Sequence, residues 1–187
     1  MADEHGEVRD DELDAQQAAR RRLALAQIRQ YPDPVLRMAA REVETFDEDL
    51  ARLVERMKAL MDDAHGVGLA ATQVGVLQRL FVLRPDEREA LALVNPRIVE
   101  TNDETATDDE GCLSLQGVLV PVERNVAITV EALDETGRPL RLELEDLAAR
   151  VVQHELDHLE GRLIIDRTDA ASRREALATL RPQPLLG

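Results

Sequence analysis

The sequence predicts an α+β fold of a single domain, with antiparallel β-sheets packed around a central helix. Three observations carry this. Residues 45–64 place apolar side chains at three- and four-residue spacing, the signature of a one-sided helix. Between residues 79 and 144 the apolar period falls to two and is broken by turn residues, as in short strands. Residues 147–160 are again helical in pattern but apolar around most of their girth, which belongs to a helix enclosed by other elements. A chain of 187 residues is long enough for one sizeable core, and 44% hydrophobic with 33% charged residues is a globular composition. Aromatics make up only 2%, so that core is expected from Leu, Val, Ala and Ile.

Taken in order, residues 1–26 read as an acidic N-terminal extension, mobile or docked on the surface, whose second half "AQQAARRRLALAQ" favours helix. The domain proper is expected at 27–187. "YPDPVLR" from Tyr31 is extended or turn-like, because each proline biases its predecessor away from helix. In the first long helix, Thr45 and Glu48 form a capping-box pair, Leu50, Leu53, Val54, Met57, Leu60, Met61 and Ala64 form the apolar face, and Gly66 ends it. The glycines of "GVGLAATQVG" allow a tight turn and close approach to another group. "RLFVL", "LALVNP" and "RIVE" read as three strands, with Asn95 and Pro96 separating the last two. "TNDETATDDE" reads as an acidic loop. "VLVPV", "VAITVEAL" and "RPLRLEL" are strands, the last two forming a hairpin through "DETG" with Val126, Ile128 and Val130 facing Leu140, Leu142 and Leu144. "DRTDAASRREALATLR" closes the chain as a helix.

Charge and cysteine content narrow the function. A net charge of −15 and a pI near 4.7 exclude nucleic-acid binding through a general basic face. The N-terminus lacks the basic flank and apolar run of a secretory signal, and no segment has the apolar length to cross a bilayer. A single cysteine, Cys112, forms no internal disulfide and suits a reducing cytoplasm; it serves as a small buried hydrophobe, a nucleophile or a metal ligand.

"QHELDHLEG" from Gln153 carries the chemistry. With His154 at zero on a helical wheel, Leu147 falls at about 20°, His158 at about 40° and Val151 at about 60°, so both histidines share an apolar face. Glu155 borders it, while Arg150, Gln153, Asp157 and Glu160 form a stripe expected to be the only wet side. Two imidazoles one turn apart can hold one divalent ion, and the adjoining glutamate can take a proton from water on that ion. The plainer reading is a pair of hydrogen-bonded core histidines. A catalytic metal needs a third protein ligand; Asp166, Asp169 and Cys112 are the candidates.

Read together, "GVGLAATQVG", "EGCLS" and "QHELDHLEG", in this order and spacing, resemble the three signature motifs of peptide deformylases. The likeness runs from about Ile28 to about Asp166 and includes "YPDPVLR" and "HLEGRLIIDR". It implies one divalent metal ion held by Cys112, His154 and His158 with water as fourth ligand, ferrous iron in the cell, with zinc, nickel or cobalt able to substitute. The implied activity is removal of the formyl group from the N-terminal methionine of nascent chains. Glu155 is then the general base. Gln73 and the backbone N–H of Leu113 are the donors to the formyl oxygen. Val67, Gly68, Glu110, Leu147 and Val151 belong to the substrate cleft, with Glu110 also bracing the cysteine loop against Arg124 and Leu147 and Val151 walling the methionine pocket. The chain departs from the pattern at Gln116, in the short segment after Ser114, in the lack of an aromatic near Ile164, and in its extension. A zincin-like peptidase and a non-catalytic deformylase-like binding protein are the rival readings. Expected partners are N-formyl-methionyl peptides and the ribosome, the latter through Arg173, Arg174 and Arg181, with neither a specific nucleic acid nor a membrane.

Overall fold

The computed structural model describes residues 4–84 and 89–181; residues 1–3 of the expected extension and 182–187 of the expected domain lie outside these. Among the described residues four α-helices, α1 (Glu4–Leu25), α2 (Glu48–Asp63), α3 (Asp146–Leu159) and α4 (Ala170–Thr179), combine with seven strands. A five-stranded antiparallel sheet has the order β1 (Gly68–Ala70), β2 (Leu80–Leu83), β3 (Leu91–Thr101), β6 (Ala127–Leu133), β7 (Pro139–Glu145). A separate ribbon pairs β4 (Thr105–Glu110) with β5 (Val120–Asn125). The α+β fold predicted from the sequence is therefore the one observed.

The continuous apolar run of β2 is explained by burial on both faces. Leu80 and Val82 enter the core under α2, whereas Phe81 and Leu83 join the core around α3. The α3 core also takes Val130, Val152, Leu156 and Leu159. A third cluster lies between the ribbon and the chain end, with Leu115, Val120, Val122, Ile165 and Ala176. Helix α3 thus runs between the large sheet and the ribbon, touching β1, β2, β5, β6 and β7. In the β6–β7 hairpin, Ile128 sits opposite Leu144 and Val130 opposite Leu142, while Leu140 faces Ala132.

Several local expectations are corrected. The N-cap of α2 is Asp47, not Thr45; its carboxylate accepts from Leu50 N at 3.0 Å, because it stands immediately before the first helical residue. The left-handed residue after α2 is His65 at φ 58°, and Gly66 serves close approach instead, since a Cβ there would lie 2.8 Å from Leu113 Cδ1. "LALVNP" and "RIVE" are one strand: β3 bulges at Asn95 (φ 52°), whose side chain accepts from Val43 N and donates to Val43 O at 2.8 and 2.9 Å. These bonds satisfy both backbone groups of Val43 and tie the segment before α2 to the bulge. The acidic "loop" contains β4, paired with β5 from Thr105 opposite Asn125 to Glu110 opposite Val120.

The second half of the N-terminal extension is helical, as its composition favours. Ala24 and Leu25 at the end of α1 are buried against α2, and the Arg21 Nε donates to Ala64 O at 3.4 Å. At the other end of the chain, Asp169 caps α4 by accepting from Ala171 N and Ser172 N.

Candidate active site

Three pieces of chain converge on one face of α3: β1 with the turn after it, the segment following β4, and α3 itself. Alpha-helical spacing puts His154 and His158 one turn apart, with ring centroids 5.0 Å apart. Cys112 follows the end of β4 by two residues and presents Sγ 3.2 Å from His158 Nε2. Donor atoms of Cys112, His154 and His158 lie within 4.8 Å of one another, and among the described residues this is the one such group of three that can hold a metal. Both downstream carboxylates are engaged elsewhere. Asp166 binds Arg37, Leu163 N and Arg173, and Asp169 caps α4.

The histidines are held from behind. His154 Nδ1 lies 3.0 Å from Glu110 Oε2, which leaves Nε2 for a metal. Glu110 also takes Arg124 Nε and Nη2 at 3.0 Å each and Arg150 Nη1 at 2.8 Å. Arg124 continues to Asp157 at 2.5 Å, and Asp157 binds Arg167. This corrects the expected wet stripe. Arg150, Gln153 and Asp157 lie under the ribbon, where Gln153 bonds both backbone groups of Asn125, and of the stripe only Glu160 is exposed. A wheel shows which residues share a face; it does not show that a two-stranded ribbon covers that face with its own arginine and backbone carbonyls.

Opposite the ligand group, Gln73 is 1% exposed. Its Oε1 accepts from Ala70 N at 2.8 Å, which turns Nε2 toward Ser114 Oγ at 3.0 Å and Cys112 Sγ at 3.7 Å. Ser114, which carried no assigned role in the sequence reading, is fully buried and also points its N–H at Cys112 Sγ, 3.4 Å away. Its signal was its place in "EGCLS". Gly68 packs on Glu155 so closely that a Cβ would sit 2.4 Å from Oε1. The glycine-rich stretch thus uses its freedom for close approach as much as for turning.

A cavity of about 690 Å³ joins these groups. Gln73, Glu110, Cys112, Leu113, His154 and Glu155 line it, as do Val67, Gly68, Leu147 and Val151; His158, 2% exposed, stands behind. Leu147 is 59% exposed at the mouth whereas Val151 is buried. Burial pushes the Glu155 carboxyl up to about 7, placing it where a group can both take and give a proton near neutrality. Burial also pulls His154 down, but contacts with Cys112 and Glu110 outweigh it and raise the ring well above its ordinary range; that thiol and carboxylate would favour a bound cation in the proton's place. Burial, with His154 adding to it, keeps His158 well below its usual range and hence neutral, as a ligand must be. One soft thiol and two imidazoles, with a buried anion behind, suit a divalent transition metal.

Comparison with known proteins follows the same lines. A family model described as polypeptide deformylase matches residues 25–174. The chain is 49% identical over 146 residues to a peptide deformylase of Clostridium botulinum, covering 78% of this chain and 98% of that protein. Its fold is similar to a peptide deformylase from Legionella pneumophila, with a TM-score of 0.78, 42% identity, and 82% and 91% of the two chains covered. It is similar also to a peptide deformylase from Synechococcus elongatus in complex with actinonin, with a TM-score of 0.78, 39% identity, and 81% and 85% covered.

Proposed function

This chain belongs to the polypeptide deformylase family, and on that premise we propose that it removes the formyl group from N-formyl-methionyl peptides using one divalent metal ion held by Cys112, His154 and His158. The observation that carries the proposal is the convergence of those three donors, a buried glutamate and a buried glutamine amide on one cavity. When bound, such an ion supplies Lewis-acid activation of a water molecule and of the formyl carbonyl. Thiolate and imidazole ligands accommodate several ions; we assign ferrous iron in the cell, with zinc, nickel or cobalt as substitutes.

The residues then divide the work. Glu155 is the general base that accepts the proton of the attacking water and returns it to the departing amine; a proton affinity near neutrality suits it to both transfers. As negative charge develops on the formyl oxygen, Gln73 Nε2 and the Leu113 N–H donate to it. Loss of one donor of this kind costs ~3 kcal/mol of transition-state stabilisation. Ser114 orients Gln73, and Glu110 fixes His154 within the cleft wall. β1 is an edge strand of the large sheet, and its outer edge at Gly68, beside Val67 on the cleft wall, offers backbone pairing to an extended peptide. Leu147 and Val151 receive the methionine side chain.

The deciding experiment is hydrolysis of formyl-Met-Ala-Ser under anaerobic conditions with ferrous or nickel ion, with inhibition by actinonin as a companion. Hydrolysis is expected; a protein with its metal bound and no turnover defeats the reading in favour of a binding role. Cys112→Ser is expected to lose the metal, whereas a zincin-like peptidase would keep it. No described helix is long and apolar enough to cross a membrane, and we place the protein in the cytoplasm, on nascent chains. Docking on the ribosome is assigned to α4 and the two residues after it, where Arg174 and Arg181 are exposed and Arg173 pairs with Asp166 at 3.3 Å. Salt-sensitive co-sedimentation with ribosomes, weakened by charge reversal at Arg174 and Arg181, is the expected result, and sedimentation unchanged by that reversal would count against it.

A further inference from the structure

Helix α1 spans Glu4–Leu25, whereas the family model begins its match at residue 25, so almost all of this helix is additional to the family pattern. Yet α1 reaches the cleft. Arg21 and Leu25 line the same cavity as Gln73, Cys112 and Glu155. The placement is built rather than incidental, because Ala24 and Leu25 are 2% and 8% exposed in the core shared with α2. Arg21 Nε donates to the carbonyl of Ala64, the C-cap of α2, next to the wall residues His65, Gly66 and Val67.

The charges around the cavity are unequal in their commitments. The other lining arginine, Arg150, is spent on Glu110, Asp108 and the carbonyls of Ala106 and Val122. Arg21 is exposed, and among the described residues no carboxylate lies within ion-pair distance of it. Across the cleft the short segment 115–119, "LQGVL", contributes no charge. Overall the chain carries −15, which repels an acidic peptide unless a local cation offsets it. A cavity of about 690 Å³ has room for residues beyond the methionine.

We propose that Arg21 is a specificity-determining residue, set on the rim by α1, that selects formyl-methionyl peptides bearing a carboxylate in the residues that follow the methionine. The inference rests on the deformylase reading above. A guanidinium is suited to this task because its planar fork meets a carboxylate with two parallel hydrogen bonds. On an exposed rim the effect is modest, is weakened by salt, and enters through binding.

The test uses the metal-loaded full-length protein and two pairs of C-terminally amidated peptides, formyl-Met-Glu-Ser against formyl-Met-Gln-Ser and formyl-Met-Ala-Glu against formyl-Met-Ala-Gln. Amidation leaves the glutamate as the carboxylate under test. At low ionic strength kcat/KM is expected to favour glutamate in at least one pair by about two- to five-fold, the range of an exposed ion pair, through KM rather than kcat. Added salt brings the ratio toward one. Arg21→Gln removes the preference, Arg21→Lys retains part of it and Arg21→Glu reverses it, each read as a ratio within one variant. A preference that survives Arg21→Gln, or none in the wild type, overturns the inference while leaving deformylation intact. Failure to hydrolyse any of the four peptides overturns the deformylase reading, and this inference with it.

Discussion

Replacing Gly68 with alanine tests the positioning of Glu155 directly. The added Cβ would stand 2.4 Å from Glu155 Oε1, 2.9 Å from Cδ and 3.0 Å from Cγ, against ordinary contact from 3.4 Å, so the carboxylate must retreat by 3.4 − 2.4, about 1 Å. Glu155 is only 4% exposed and its backbone is fixed in α3, so the move carries it off its position rather than into solvent. A misplacement of about 1 Å in a reacting group costs on the order of 10²-fold in rate. We therefore expect kcat/KM for formyl-Met-Ala-Ser to fall about 100-fold, with metal content unchanged because Cys112, His154 and His158 lie outside the clash. Overpacking should cost ~1–3 kcal/mol in stability, read from urea denaturation. Gly66→Ala is the contrast, since its Cβ meets the flexible end of Leu113 at 2.8 Å and that side chain can yield. If Gly68→Ala at full metal occupancy stays within about threefold of wild type, less than 1 kcal/mol of barrier, the glycine does not set the glutamate and the reasoning fails.

Further predictions concern the base, the brace and the turn. Glu155→Gln should retain metal by elemental analysis yet lower kcat by about 10²–10⁴, the usual contribution of a general base; undiminished turnover would assign that role elsewhere. Glu110→Gln removes a buried carboxylate from between Arg124, Arg150 and His154 and should destabilise the fold by ~3–5 kcal/mol in urea. Although burial pushes Glu110 up, His154 and Arg124 hold its pKa down at about 2 from an ordinary 4.5. Its contribution to stability is therefore complete above 4.5 and lost as pH falls toward 2, and circular dichroism should show a wild-type loss in that window that is flattened in Glu110→Gln. Gly161→Ala forces a side chain to φ 72° with its Cβ 2.5 Å from the carbonyl oxygen of Arg37; a thermal midpoint equal to wild type would show that this turn adapts, against the expected loss of ~2 kcal/mol or more.

What could be read from the sequence was whatever repeats along one element or is concentrated in a short motif. The apolar faces of α2 and α3 and the β6–β7 hairpin were legible because periodicity records burial on one side. Most of the candidate cleft residues could be named because three short motifs carry them, while Leu147 and Val151 came from the helical wheel; all of these except His158 line the same cavity. β4 was not, since "TATDDE" has neither apolar alternation nor β-rich composition; its pairing depends on the facing backbone of β5 and on Arg150, 40 residues from Glu110. The burial of Gln153 and Asp157 was hidden for the same reason, because their partners Asn125 and Arg124 lie on that ribbon. Asn95 looked like a strand breaker because its bonds to Val43, across 52 residues, are invisible locally. Reach between distant segments accounts for Asn95, Gln153 and Asp157, and at β4 it acts together with a weak local propensity.

The approach of Cys112 to His158 closes a loop of 46 residues that contains β5, β6 and β7. One end of that loop rides on the ribbon and the other on α3, and on the proposed function the link between them is made of metal ligands rather than covalent bonds. Whatever ties thiol and imidazoles together therefore acts as a detachable staple between two halves of the molecule. By mass action, ribbon docking and site occupancy become one equilibrium seen from two sides. Chelation should then accelerate amide exchange along β4 and β5 well before it affects β2 and β3, whose hydrogen bonds lie within the large sheet.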